Sequence, residues 1–105
     1  MTRRRHAPNP YVICVPDRAV TTPDEIVLLS HTELALIRLL FDNLGLTVTR
    51  SQLELQAWGE FLEACSRGLD AHICRLRKKL ALDGKHGLRL RAVYKQGYRL
   101  ERVTP

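Results

Sequence analysis

The sequence predicts an α+β domain that has a small N-terminal antiparallel sheet, three helices and a C-terminal β-hairpin. Three observations support this fold class. They are short β-branched runs near the start, helix-capping signals ahead of apolar residues at helical spacing, and two alternating segments around a glycine turn near the end. A chain of 105 residues, of which 45% are hydrophobic and 27% charged, suits one globular domain with a packed core.

The chain begins with a segment that predicts no regular structure. Residues 1–10 contain three arginines and two prolines without periodicity, so we expect a flexible basic tail ahead of a domain that spans 11–105. Short runs of β-branched and apolar residues follow at 11–15, 18–20 and 26–29, and turn residues separate them. These three runs predict the small antiparallel sheet.

Two capping boxes mark the starts of two helices. Ser30 and Glu33 have the spacing at which each side chain accepts the backbone N–H of the other residue, and Thr49 and Gln52 repeat it. Apolar residues follow each box at helical spacing, which predicts one helix after each box. We expect Gly59 to end the second helix.

Other local signals predict the remaining helix ends. We expect Asn43 and Gly45 to adopt left-handed conformations that stop the first helix. The third helix is expected to run from a cap at Ser66 to about Leu82, and residues 83–84, an Asp-Gly pair, are its predicted stop.

The C-terminal segment predicts a β-hairpin. Residues 88–93 and 98–103 alternate in polarity, and residues 95–97 between them supply a turn. A small sheet, three helices and a closing hairpin, in that order, make a winged helix-turn-helix.

The third helix has two chemically different faces. One face is an apolar stripe that must pack on the core, formed by Leu69, Ile73, Leu76 and Leu80. The opposite face and its flanks carry small and cationic side chains, namely Arg67, Ala71, Cys74, Arg75 and Lys78, with Arg77 on one flank and His72 and Lys79 on the other. Between residues 66 and 79 five basic residues stand against one acid, which gives the helix a local charge of +4.

This basic helix predicts binding to double-stranded DNA. The formal charge of +6 favours a polyanionic partner, and a helix fits the major groove, where Arg donates two hydrogen bonds to guanine and nearby cations neutralise phosphates. Small Ala71 permits close approach and contact with a thymine methyl group. The competing interpretation is a solvated basic helix end that complements the helix dipole. The basic hairpin that follows, with Arg89, Arg91, Lys95 and Arg99, favours DNA.

Residues at the hairpin turn extend this hypothesis. Tyr94 and Lys95 are expected at the tip, where they can reach an adjacent minor groove or lie along the phosphates. For Tyr98 we favour packing in the sheet, and for Trp58 packing in the core. We expect Asp70 to pair with Arg67 or with a lysine on the same helix.

Short motifs recur in a specific order along residues 11–103. They are Leu29-Ser30-x-x-Glu33, Asn43-x-Gly45, Val48-Thr49-Arg50-x-x-Leu53, Trp58-Gly59, Ser66-Arg67-x-Leu69-Asp70-x-His72-Ile73-x-Arg75-Leu76-Arg77-Lys78-Lys79-Leu80 and Val93-x-x-x-Gly97-Tyr98-Arg99-Leu100. Together they resemble the DNA-binding effector domain of OmpR/PhoB-type response regulators, which are transcription regulators of two-component systems.

The resemblance implies a four-stranded N-terminal sheet, a third helix in the major groove and a hairpin wing at the minor groove. It implies that Arg67, His72 and Arg77 hold phosphates and that Arg75 is the chief base contact. It also implies that the loop at 59–65 contacts RNA polymerase and that two copies bind tandem or inverted half-sites.

This sequence departs from the family pattern at three contact positions. Gly68 stands where a threonine is common, Cys74 where an arginine is frequent, and Tyr94 where the wing arginine normally lies. Lys95 is the residue that can compensate for the missing arginine. For Cys74 we favour a passive thiol over the alternative of a redox switch.

The reactive residues do not predict an enzyme or a metal protein. We find no nucleophile paired with a base and no glycine-rich phosphate loop, and the three cysteines and four histidines lack metal-ligand spacing. We therefore predict no cofactor, no metal and no catalysis. No apolar run is long enough for a membrane span and no signal peptide is evident, so we expect a cytoplasmic protein. The alternative function is a protein-interaction winged helix that contacts RNA polymerase or another regulator without specific DNA readout.

Overall fold

The computed structural model of the protein describes residues 10–59 and 66–103. Its elements are β1 (Val12–Cys14), β2 (Ala19–Thr21), β3 (Ile26–Leu28), α1 (His31–Asp42), β4 (Thr47–Thr49), α2 (Arg50–Trp58), α3 (Ser66–Lys79), β5 (Leu88–Val93) and β6 (Gly97–Arg102). The predicted winged helix-turn-helix is confirmed, with one additional strand, β4. The tail predicted at 1–10 lies outside the described residues except for Pro10, so it stays a prediction.

The first three strands form an antiparallel sheet in the order β1-β2-β3. Val20 lies between Ile13 and Val27, and this row of side chains packs toward the core. The four-stranded N-terminal sheet implied by the resemblance is wrong for the described residues, which contribute three strands to it. The next strand along the chain, β4, follows α1 and pairs with β6 instead.

The capping box predicted for α1 is confirmed. Ser30 Oγ accepts the Glu33 N–H at 3.1 Å, and Glu33 Oε1 accepts the Ser30 N–H at 2.9 Å. Of the two residues predicted to be left-handed at the end of α1, Gly45 is left-handed at φ 87°. The prediction is wrong for Asn43, which has φ −118°. Asn43 ends the helix differently, since its side-chain amide donates to the Leu39 carbonyl oxygen at 2.8 Å.

The strand β4 leads directly into α2. Its central residue, Val48, is buried, and Thr49 is both the end of the strand and the N-cap of the helix. Thr49 Oγ1 accepts the Gln52 N–H at 3.1 Å, and Gln52 Oε1 accepts the Thr49 N–H at 2.9 Å, which confirms the second capping box. Gly59 ends α2 in the left-handed conformation at φ 77°, as predicted.

The third helix stops three residues earlier than the sequence predicted. The Leu82 N–H donates to the Arg77 carbonyl oxygen at 2.9 Å, and the Ala81 N–H donates to the Lys78 carbonyl oxygen at 3.3 Å. With Ala81 left-handed at φ 52°, these bonds make a Schellman termination. The stop predicted at residues 83–84 is therefore wrong. The chain turns earlier and places Leu82 in the core, where it is fully buried.

The C-terminal sheet has the order β4-β6-β5, so the predicted hairpin of β5 and β6 is the larger part of a three-stranded sheet. We call this hairpin the wing. A Cβ added to Gly97 would lie 2.0 Å from the Val48 carbonyl oxygen, so β6 can approach β4 only because residue 97 has no side chain.

One core joins both sheets and all three helices. The apolar stripe predicted on α3 is confirmed, because Leu69, Ile73, Leu76 and Leu80 are all buried in it. Burial of this stripe fixes which side of α3 points away from the protein.

Candidate nucleic-acid interface

The outward side of α3 carries the predicted DNA-contact residues. Ala71, Cys74, Arg75 and Lys78 are all exposed. Within the described part of the chain, Arg75 and Lys78 make no hydrogen bond or ion pair. Their charges are therefore available to a partner, and the small side chain of Ala71 allows a close approach.

Two cations on the flanks of α3 are bonded within the domain. Arg77 Nε donates to the Leu90 carbonyl oxygen of β5 at 2.9 Å. Lys79 Nζ donates to Glu33 Oε1 at 2.9 Å and to the Leu28 carbonyl oxygen at 3.3 Å. These contacts fasten α3 to both sheets. Arg77 keeps its terminal nitrogens for another partner, whereas Lys79 is committed to the protein.

Glu33 is the buried end of the Lys79 ion pair. Its side chain is only 6% exposed. Burial alone raises the pKa of Glu33, but the hydrogen bonds from Ser30 and Lys79 outweigh it and hold this pKa below its usual value. Glu33 is thus a charged group that ties the start of α1 to the end of α3.

His72 lies half-buried at the edge of the exposed face. Its Nδ1 is 2.7 Å from the Gly68 carbonyl oxygen, and its ring meets the partly buried Trp58 ring edge-on at 5.6 Å between centroids. Because a carbonyl oxygen can only accept, Nδ1 carries the proton in this bond. Nε2 then donates to a phosphate only when the imidazole is doubly protonated.

Asp70 binds residues of α2 and the wing, and the predicted alternative partner Arg67 has a side chain outside the described groups. Arg50, the first residue of α2, donates to Asp70 Oδ1 at 2.8 Å and to Oδ2 at 3.3 Å, and the Tyr98 hydroxyl of β6 also donates to this carboxylate. The expected pairing with a lysine of the same helix is wrong, because Asp70 lies on the side of α3 that faces α2 and the wing. The hydrogen bond from Arg50 holds the pKa of Asp70 below its usual value.

This ion pair links three elements of the interface. Tyr98 packs in the sheet as predicted and also joins the core, being 7% exposed, and burial raises the pKa of its phenol. Sequence reasoning missed Arg50 and Asp70 as a joint between α2, α3 and the wing. Their separation of 20 residues leaves no periodic signal that would find them.

The arginines on the outer face of the wing surround one carboxylate. Glu101 accepts from Arg91 Nε at 2.9 Å, from Arg99 Nη1 at 3.2 Å and from Arg89 Nη2 at 3.3 Å. Burial opposes ionisation of Glu101, but these guanidinium groups hold its pKa below the usual value. Much of the positive charge that the hairpin shows in the sequence is therefore engaged within the wing.

The wing tip presents the other two predicted contact residues. Tyr94 is 83% exposed, and Lys95 Nζ lies 5.4 Å from the centre of its ring. Lys95 is also exposed and has a left-handed backbone at φ 61°.

Some predicted contacts fall outside what is described. Arg67 belongs to α3, but its side chain is not among the described groups, and neither is the 60–65 part of the predicted polymerase loop. Gly68 has open space where a side chain would stand. Among the described residues, no group of three or more His, Cys, Asp or Glu is placed to hold a metal ion. None of the described helices is long and apolar enough to cross a membrane.

Comparison with known proteins identifies the domain. The family described as "Transcriptional regulatory protein, C terminal" matches residues 24–100. The chain belongs to this family. The OmpR/PhoB-type resemblance found in the sequence is thereby confirmed.

This transcriptional regulatory domain corresponds to part of longer relatives. It is 32% identical over 93 residues to the sensory transduction protein RegX3 of Mycobacterium tuberculosis, an alignment that covers 89% of this chain and 41% of RegX3. The chain thus spans less than half the length of this relative.

Two solved structures with the same fold contain DNA. The RstA DNA-binding domain of Klebsiella pneumoniae, in complex with the RstA box, has a TM-score of 0.73 and 27% identity, covering 88% of this chain and 91% of that one. The DNA-binding domain of the response regulator AdeR, in complex with an intercistronic region, also has a TM-score of 0.73 and 27% identity, covering 92% and 98%.

Proposed function

We propose that this domain binds double-stranded DNA sequence-specifically and thereby regulates transcription. The observation that carries the proposal is the division of charge on α3. Arg75 and Lys78 point away from the protein without a partner among the described residues, whereas Lys79 is bonded inward. The RstA and AdeR domains, which share the fold, were solved with DNA, and this supports the same partner here.

In this proposal α3 lies in the major groove and Arg75 is the main base contact. The major groove is about 12 Å wide, enough for a helix, and the Arg fork matches guanine O6 and N7. Ala71 and Cys74 flank Arg75 on the helix surface without blocking a base edge. Gly68, one turn before His72, leaves room for the phosphate backbone near the start of α3.

The phosphate contacts surround this base contact. Lys78 supplies an exposed charge. Arg77 has its Nε on Leu90, so its terminal nitrogens are available and their direction is fixed. Arg67 and His72 complete the set that the family resemblance implies. Phosphate contacts of this kind orient a protein on the duplex and add affinity on every sequence.

The wing lies at the minor groove in this arrangement, with Tyr94 and Lys95 as its contacts. We further propose that two copies occupy tandem or inverted half-sites and that the loop at 59–65 contacts RNA polymerase. DNA binding of this kind requires no catalytic step and no cofactor. A promoter-binding role requires the compartment that holds the DNA, and we propose that this is the cytoplasm.

Selection of bound duplexes from a random pool at near-physiological salt tests this function. We expect a repeated motif whose duplex binds at least about 10³-fold more tightly than a scrambled one. If about four to six phosphates are neutralised per copy, log K should fall with log salt at a slope of about −4 to −5. Recovery of no motif, with only weak and salt-sensitive binding, would overturn the proposal and favour the protein-interaction alternative.

A further inference from the structure

The tip of the wing carries the most exposed large apolar side chain among the described residues, Tyr94. Single exposed apolar residues are common on proteins, so exposure alone carries no conclusion. Two further observations concern this tyrosine: backbone hydrogen bonds hold the turn that presents it, and a lysine amino group lies 5.4 Å from the centre of its ring.

Backbone hydrogen bonds hold the turn from two sides. The Gln96 N–H donates to the Val93 carbonyl oxygen at 2.9 Å and closes the turn. The Gln96 carbonyl oxygen accepts the Arg50 N–H at 3.1 Å, which ties the turn to the start of α2. Because Arg50 also binds Asp70 of α3, the position of Tyr94 relative to α3 is fixed before any ligand arrives. A preorganised contact loses little conformational entropy on binding.

Lys95 occupies a backbone conformation that glycine adopts more easily. A left-handed φ of 61° is strained for a residue with a side chain, and such strain is concentrated at functional sites. Lys95 Nζ lies 5.4 Å from the centre of the Tyr94 ring. The tip therefore presents a phenol hydroxyl and a cation side by side.

The floor of the minor groove distinguishes base pairs in a way that suits this tip. An A·T pair offers the acceptors adenine N3 and thymine O2, whereas a G·C pair adds the N2 amino donor of guanine. A phenol O–H donates to these acceptors at an A·T pair. At a G·C pair the guanine amino group projects into the groove and hinders that approach, so there the phenol oxygen can only accept from it.

We propose that Tyr94 selects A·T base pairs in the minor groove beside the α3 half-site by donating its hydroxyl hydrogen bond, while Lys95 supplies attraction without selectivity. This inference rests on the proposed function, since it requires the wing to lie on DNA. It differs from the wing arginine of the family pattern in assigning base selection to a neutral donor. A tyrosine wedged between base pairs would instead favour flexible pyrimidine–purine steps.

The test uses the full chain and three duplexes that share the selected half-site. The flank under the wing is A·T, G·C or inosine·C, the last of which keeps the major groove of G·C but lacks the amino group in the minor groove. We expect the A·T and inosine·C duplexes to bind alike and about fivefold to tenfold more tightly than G·C. Equal binding of all three flanks would overturn the inference, and so would a preference that follows pyrimidine–purine steps.

Two variants assign the effect to one atom. Tyr94→Phe keeps the ring and removes the donor, so its three affinities should converge to within about twofold. Full retention of the preference in this variant would overturn the inference. Lys95→Ala should weaken binding to all flanks alike and reduce the salt slope by about 1. Loss of preference in Lys95→Ala would contradict the assignment to Tyr94.

Scrambling the half-site separates this inference from the proposed function. The wild-type domain and Tyr94→Phe should both lose binding when the half-site is scrambled. If they do, and Tyr94→Phe keeps the flank preference, only the wing inference fails. If scrambling changes nothing, the proposed function fails and the wing inference with it.

Discussion

The described residues divide into two regions of opposite charge. Residues 10–59 contain three Lys and Arg against six Asp and Glu, a net charge of −3, whereas residues 66–103 contain eleven against three, a net charge of +8. Both regions contribute strands, helices and buried side chains to the same core. Both regions therefore contribute to folding, whereas the positive charge that suits DNA is concentrated in the second.

The two regions are joined by contacts as well as by the core. Lys79 of the second region pairs with Glu33 of the first, and Asp70 pairs with Arg50. Strand β6 also pairs with β4 across the same boundary. The basic region therefore has its helix and its wing positioned by the acidic one.

The largest expected effect follows from breaking the pairing of β4 with β6, which joins the two regions. Gly97→Ala would place a Cβ 2.0 Å from the Val48 carbonyl oxygen, a backbone atom that cannot move aside without disturbing the pairing of β4 with β6. We expect a loss of about 3 kcal/mol or more in the free energy of unfolding, measured by urea denaturation. The matched control is Gly68→Ala in α3, where space is open and stability should rise by about 0.5–1 kcal/mol. Equal effects of the two substitutions would contradict the close approach at Gly97.

The next effect tests whether DNA sequence preference depends on where a cation lies and not only on its charge. Arg75→Ala should cost about 1–3 kcal/mol on the selected duplex and reduce the preference at one base pair. Arg38→Ala removes an equal charge from the exposed face of α1 in the acidic region and should leave that preference unchanged. Lys78→Ala should weaken selected and scrambled duplexes alike. If Arg75→Ala also weakened all sequences equally, Arg75 would be a phosphate contact and not a base contact.

A smaller effect concerns the Glu33 link between the regions and its dependence on pH. Because folding lowers the pKa of Glu33, its contribution to stability is complete above the ordinary glutamate pKa and is lost as pH falls through the lower folded value. Glu33→Gln should cost about 1–2 kcal/mol at neutral pH and reduce the loss of stability on acidification. Urea midpoints across this pH range measure both quantities. Lys79→Met should likewise flatten the pH dependence, and an unchanged slope in both variants would rule out this pair as its source.

The smallest expected effect on stability concerns the residue that terminates α3. Ala81→Gly should stabilise the domain by about 0.5–1 kcal/mol, because glycine adopts the left-handed conformation found at φ 52° without the penalty that a Cβ brings. The same substitution at Ala71, in the exposed interior of α3, should destabilise by a similar amount. Thermal or urea unfolding measures the stability of both variants. Effects of the same sign would show that the left-handed backbone at residue 81 does not decide the effect of glycine there.

Short-range patterns in the sequence determined most of the elements. Both capping boxes, the left-handed stop at Gly59 and the apolar stripe of α3 were predicted correctly. Each depends on residues within about four positions of one another, because helical hydrogen bonds and helical faces repeat over that distance. Burial of the stripe also fixed the outward side of α3, so the exposure of Arg75 and Lys78 followed from the sequence alone.

Tertiary structure decided the features that depend on residues far apart in the sequence. The pairing of β4 with β6, the early stop that buries Leu82, and the removal of Lys79 from the free cations of α3 were not predictable from local pattern. Lys79 and its partner Glu33 are 46 residues apart, and Asp70 and Arg50 are 20 apart. A charged side chain stays free for a ligand only if the fold brings no opposite charge within about 4 Å of it. Spacing along the sequence does not predict that distance, because the partners come from different elements.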